Sequence, residues 1–214
     1  MAGRPSAGHD RVLLKRTSPA ALKNLRPLAA ALRAVLPASG TLLELGSGTG
    51  EHAIAVARAF PGLEVVPSDP DPVARASIVA WAAEARLPNL AAPLDLDVLA
   101  DAWTRRGADA LLCVNVLHVA APAAVEALAR GAARVLPPGG PLVVAAPFFR
   151  RGARRRGRLV RFDGELRAAD PALGIRDLED LVEAGARHGL VAGAPRALPA
   201  EGDLLVVLVK ERAP

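Results

Sequence analysis

The sequence predicts an α/β fold: a mostly parallel sheet with helices on both faces. Two observations predict it. Short apolar runs alternate with longer, alanine-rich stretches of helical periodicity through most of the 214 residues, and a parallel crossover needs a helix's length of chain. With 51% apolar residues, the chain is also long enough to bury one substantial core and short for two.

The elements follow in order. "TSPAALKNLRPLAAALRAVLP" opens a helix, with Ser18 as N-cap and Pro19 at the first helical position, where a missing N–H costs nothing. Leu22, Leu25, Ala29, Leu32 and Leu36 fall three or four apart and form one apolar stripe, which Pro37 and Gly40 end. Strands are then expected at Thr41–Leu45, Leu63–Pro67, Leu90–Leu94, Ala108–Val114 and Pro141–Ala146, with helices near 51–60, 71–86, 121–135 and 177–188. Leu190–Ala192 and Leu204–Val209 suit a closing antiparallel pair, and "EGD" ahead of the second permits the turn. Residues 1–11 are expected to be disordered, and 12–214 to form a single domain.

The net charge of +5 is local. Residues 150–161, "RRGARRRGRLVR", hold seven arginines and no acid, and taking those seven charges away leaves −2. The run lacks the aromatics that accompany basic residues in nucleic-acid footprints, so a solvated arginine-rich loop is expected and nucleic acid is not the expected partner. Cys113 is the only cysteine and sits in an apolar run, so no intrachain disulfide is expected and a reducing cytoplasm suits the chain. No stretch approaches the roughly 20 apolar residues of a membrane span, and "MAGRPSAGHDR" lacks a signal-peptide core, so a soluble protein is expected.

The chemistry starts at "TLLELGSGTGEHA". Gly46, Ser47, Gly48 and Gly50 form the turn between the first strand and its helix, where ligands sit in doubly wound sheets. Missing side chains let backbone approach a ligand, and the helix start offers free N–H groups. The spacing is G-x-G-x-G, one residue shorter than the dinucleotide fingerprint, and Glu51 stands where a pyrophosphate would go. With Glu44 nearby, the loop suits a cationic, phosphate-free adenosyl ligand, S-adenosylmethionine, rather than a nicotinamide dinucleotide.

Two further strand ends add to this. In "EVVPSDPDP", Asp69 is placed to reach ribose hydroxyls, while Asp71, followed by Pro72, suits a helix cap. In "PLDLDVLADAW", Asp97 is placed to accept from an adenine amino group beside the Val98 backbone, with Asp95 competing. After the fourth strand, "CVNVLHVA" brings Asn115 and His118 to the cofactor's reactive end, where His118 serves as a general base or as a structural hydrogen-bonded group. The other histidines are scattered without metal-ligand spacing, so no metal is expected.

Together "ELGSGTGEHA", "PSDPDP", "LDV", "NVLH" and "RVLPPGGPLVV" resemble a class I S-adenosylmethionine-dependent methyltransferase. More narrowly, "SDPDPVARASIVAWAAEARLPNL" and "FDGELRAADPALGIRDLED" resemble the domain-of-unknown-function 938 family, whose eukaryotic members are called methyltransferase-like 26. The resemblance implies a Rossmann-like, seven-stranded sheet with the last strand antiparallel, and S-adenosylmethionine held by the Gly46–Gly50 loop, Asp69 and Asp97. It also places Asn24 over the cofactor and Arg167, Asp170, Arg176 and Asp177 beside the substrate, a salt-bridged lid being their competing role. Three positions depart from the family pattern: "AAPFF" after the fifth strand, Leu173 where an aromatic is usual, and "AEGDLL" in place of a paired asparagine motif. All lie on the substrate side. The expectation is therefore a methyltransferase acting on an unidentified small molecule; a nucleic-acid methyltransferase using the arginine run, or a catalytically silent cofactor-binding protein, are the alternatives.

Overall fold

A computed structural model describes residues 15–103, 107–200 and 202–212; the expected disorder of residues 1–11 lies outside the described residues. Along the chain run α1 (Pro19–Leu32), β1 (Gly40–Leu45), α2 (Glu51–Ala59), β2 (Leu63–Ser68), α3 (Pro72–Ala85), β3 (Ala110–Val114) and α4 (Ala124–Val135). They are followed by β4 (Pro141–Phe149), α5 (Arg158–Ala169), β5 (Arg176–Asp177), α6 (Leu178–Arg187), β6 (Leu190–Ala192), β7 (Arg196–Ala197) and β8 (Asp203–Lys210). The sheet order is β2-β1-β3-β4-β8-β6, with β5 added to β4 and β7 to β8. β1 to β4 are parallel, while β8 runs antiparallel to β4 and β6. The direction of winding reverses between β1 and β3, which opens a crevice at their carboxyl ends.

Alternation along each strand divides the core. Leu42, Leu112 and Val143 face α1 and α2 through Leu28, Leu32, Ala53 and Val56. Leu43, Leu111 and Val144 face the other side, toward Leu128 and Ala132 of α4 and Leu181 of α6. Both faces of the sheet are therefore covered, and each fully buried leucine contributes about 1.5–3 kcal/mol. Ser18 caps α1 by accepting from Ala21 N at 3.3 Å, and Asp71 caps α3 by accepting from Val73 N at 2.8 Å. No helix among the described residues is long and apolar enough to cross a membrane.

Two elements differ from expectation. Leu90–Leu94 is not a strand but a pair of single parallel bridges to β2, Val65↔Leu90 and Ser68↔Leu94. Pro93 on one side and Pro67 on the other supply no N–H, so the ladder cannot run on between the two bridges. With this segment counted beside β2, the main path of the sheet is six strands and one bridged segment wide. The expected loop at 150–161 ends early, because α5 starts at Arg158. Leu159, Phe162 and Leu166 recur three and four apart and give this helix its half-buried face.

Three of the arginines ahead of α5 are engaged by α6 and its cap. Arg150 pairs with Glu179 at 2.9 Å, Arg151 with Asp180 at 2.7 Å and with Glu183, and Arg155 with Asp177 at 2.8 Å.

Candidate active site

The carboxyl ends of β1, β2, β3 and β4 border a cavity of about 720 Å³, within the roughly 300–1,000 Å³ usual for small-molecule sites. The glycines of its first loop serve three different needs. Gly46 has φ +63°, and a Cβ there would stand 2.5 Å from Val116 Cγ2. Gly48, at φ +55°, has nothing within 4 Å of such an atom, so its backbone lies open to the cavity. Gly50 is the left-handed N-cap of α2 and packs against Ile78 of α3; it does not line the cavity.

The loop is fixed to the end of β2. Ser47 N donates to Ser68 O at 2.8 Å, Ser68 N donates to Ser47 Oγ at 3.1 Å, and Gly48 N donates to Asp69 Oδ2 at 2.9 Å. Asp69 Oδ1 accepts from Asp71 N at 2.9 Å, so each oxygen takes one backbone bond and keeps capacity for another donor. Asp97 and Val98 line the cavity, whereas Asp95 is turned to Arg75 at 3.0 Å and does not.

Carboxylates underlie this end. Glu44 is fully buried beneath the loop, outside the cavity lining, and its carboxyl oxygens find no hydrogen-bond partner among the described residues. Burial pushes its pKa up to about 7, with the Ser47 hydroxyl opposing the rise and Asp69 and Glu51 adding to it. Glu51 lines the cavity and ties α1 to the loop: it accepts from Ser18 N at 2.5 Å and from the Thr49 hydroxyl.

Asn115 closes β3 with φ +58°, a left-handed backbone that asparagine tolerates better than most residues. The turn carries His118 into a buried position on the cavity wall, its ring edge-on to Phe162 at 5.4 Å between centroids. Burial, and secondarily the charge of Arg176, lower its pKa to about 4, so the imidazole is neutral at pH 7. Its Nδ1 is buried with no hydrogen-bond partner among the described residues.

Thus Gly46, Ser47, Gly48, Asp69, Asp97, Val98, Asn115 and His118 all border one cavity. The substrate-side residues named from the resemblance do not join them. Arg167, Arg176 and Asp177 line a separate cleft of about 390 Å³, Asp170 lines neither, and the Asn24 side chain lies outside the described residues. Arg176 donates to Leu117 O at 3.1 Å and to Ala172 O at 3.0 Å, bracing the turn that carries His118. Arg167 pairs with Asp163 at 2.9 Å, and Asp170 accepts from Ala172 N at 2.8 Å. In their place the cavity holds Ser18, Ala21, Arg158, Phe162, Ala200 and Asp203, which the sequence reading missed. Arg158 is masked there by its arginine neighbours, and Asp203 by its position in an ordinary turn signal.

The family model described as "Protein of unknown function (DUF938)" matches residues 15–208. The chain belongs to the DUF938 family. Among solved structures it is similar to TnmH, with TM-score 0.73 and 27% identity over 96% of this chain and 58% of that one. It is similar to CalO1, a methyltransferase in calicheamicin biosynthesis in its SAH-bound form, with TM-score 0.71 and 23% identity over 89% and 54%. An O-methyltransferase family protein from Burkholderia thailandensis gives TM-score 0.76 and 15% identity over 98% and 62%. This DUF938 chain thus has the fold of class I methyltransferases, and it spans little more than half the length of these structures.

Proposed function

We propose that the chain is an S-adenosylmethionine-dependent methyltransferase acting on a small-molecule acceptor. The observation that carries this reading is the meeting, in one cavity, of an open glycine backbone after β1, Asp69 after β2 and Asp97 after the segment bridged to β2. The donor set fits the group. Glu51, Asp69 and Asp97 place carboxylates around that end of the cavity, which suits a cationic ligand and repels a pyrophosphate. CalO1, a methyltransferase in calicheamicin biosynthesis with the same fold, supports the small-molecule acceptor.

The residues divide the work. Gly46 and Gly48 would admit the ligand close to backbone, Asp69 would accept from ribose hydroxyls, and Asp97 with the Val98 backbone would hold the adenine. Bound there, the cofactor supplies an electrophilic methyl group on sulfur. The protein's contribution is alignment of the acceptor atom with that methyl, an effect of proximity and orientation. Burial, and then the Arg176 charge, hold His118 neutral, so its imidazole would be free to take up the proton that the acceptor oxygen or nitrogen gives up.

A thermal-shift comparison tests the reading, because a ligand that binds only the folded state raises its stability. S-adenosylmethionine and S-adenosylhomocysteine should each raise Tm and NAD should not; stabilisation by NAD alone, or by none of the three, overturns it. With an acceptor in hand, His118→Asn should lower kcat about 10²-fold or more, in the range of a lost general base.

A further inference from the structure

The acceptor half of the cavity carries its own recognition device. Sheet order sets Pro147 and Asp203, paired in register across β4 and β8, at the opposite end from β2 with its Asp69. Leu159 of α5 packs against Gly202, whose φ is +80°, and this brings Arg158 against the start of β8. Arg158 Nη2 donates to Asp203 Oδ1 at 2.9 Å, with the Asp203 side chain 10% exposed and that of Arg158 39%. Val119, Ala120, Phe162 and Ala200 add mainly apolar wall to the same cavity.

We infer that the acceptor is a neutral molecule that presents a hydrogen-bonding edge, an amide or hydroxyl with both donor and acceptor atoms, to the Arg158–Asp203 pair. This deepens the methyl-transfer reading and rests on it for the word acceptor. The argument is one of compensated charge. Arg158 is the only cation among the described residues lining the cavity, against the carboxylates of Glu51, Asp69, Asp97 and Asp203, with His52 and His118 both pushed toward neutrality by burial. A ligand carboxylate or phosphate brought to Arg158 meets Asp203 beside it. An ammonium group brought to Asp203 meets Arg158. A neutral group can exchange hydrogen bonds with both members and suffers neither repulsion, and like-charge juxtaposition selects against the charged alternatives.

Three probes that share one ring and differ in charge test this: para-hydroxybenzamide, para-hydroxybenzoate and para-hydroxybenzylamine. Their binding to the full chain is measured by calorimetry at neutral pH, with and without saturating S-adenosylhomocysteine. The amide should bind about tenfold or more tighter than either charged probe. Asp203→Asn, which leaves the Arg158 charge uncompensated, should move the ranking about tenfold toward the benzoate, and Arg158→Gln should move it toward the benzylamine. A charged probe ranked first on the unaltered protein, no binding of any probe, or rankings unchanged in whichever variant remains folded overturns the inference. Titration of S-adenosylhomocysteine alone reports separately on the cofactor reading, so a protein that binds it but shows no neutral preference fails only the acceptor assignment.

Discussion

Gly46 and Gly48 share a left-handed backbone but have different surroundings, and substitution should separate them. Alanine at either position adds roughly 1–2 kcal/mol of backbone strain. At Gly46 it also drives a methyl into Val116, so Gly46→Ala should lose the greater stability, by a further 1–3 kcal/mol or so, in denaturant unfolding. Gly48→Ala should stay closer to wild type in stability yet lose affinity for S-adenosylhomocysteine, because its methyl enters the cavity. Equal losses of stability in the two would contradict this account of the loop. Glu44 gives a second residue-scale prediction. Its pKa of about 7 in the folded protein lies above the ordinary 4.5, so between those values the folded state binds more protons than the unfolded state and stability falls as pH rises. Glu44→Gln removes this dependence; its advantage over wild type should grow from pH 5 upward, reach the order of 3 kcal/mol and level off above pH 7. An advantage that shrinks with rising pH would contradict it. The residues at the glycine-loop end of the cavity were legible because each lies within a few positions of a strand end or of the segment bridged to β2. Arg158 and Asp203 were not, since their meeting depends on a helix and a strand start 45 residues apart.

At the scale of elements, α1 belongs to the site although its own sequence announces only a capped amphipathic helix. Glu51, which in sequence stands as a repellent for phosphate, also accepts from Ser18 N and the Thr49 hydroxyl, and so latches the start of α1 to the glycine loop. Beside it, Arg16 N donates to Ser77 Oγ at 2.9 Å and Trp81 Nε1 donates to Arg16 O at 2.8 Å, fixing the approach to the helix onto α3. Glu51→Ala leaves Ser18 N without its acceptor, a loss of about 1–3 kcal/mol for a part-buried bond to a charged group. Hydrogen exchange should then show amides of α1 losing protection while those of β1 and β3 keep theirs; uniform loss across the sheet would make Glu51 a general stability residue instead. The two misread elements have different origins. Prolines cut the expected strand at Leu90–Leu94 to single bridges, and the density of arginines hid the helical spacing of Leu159, Phe162 and Leu166. The first depends on how a segment meets its neighbour, which periodicity within the segment does not encode; the second was present in the segment's own spacing but overshadowed by its charge.

For the whole molecule, the α/β class and the mostly parallel sheet followed from alternation, but the order of the strands and the charge distribution required the fold. The arginine run supplies the entire basic excess in sequence, yet in space it faces the acidic first turns of α6. Glu179 has its pKa held down by the Arg151 backbone N–H and then by Arg150, and Glu183 by hydrogen bonding to Arg151, so these carboxylates are charged partners at neutral pH. A polyanion must compete with them for the same guanidinium groups. Binding of single-stranded RNA to the unaltered protein should therefore be weak, with a shallow dependence on salt. The triple change Glu179→Gln, Asp180→Asn and Glu183→Gln releases Arg150 and Arg151 without touching the cavity. The variant should bind RNA more tightly, with log K falling more steeply against log salt by about 0.7 for each phosphate newly contacted. Such pairs at the surface contribute little to folding, so the variant should keep its fold and its affinity for S-adenosylhomocysteine. If the unaltered protein instead binds RNA tightly with a steep slope that the triple change leaves alone, the run is a nucleic-acid clamp, and its alignment with α6 is incidental to that role.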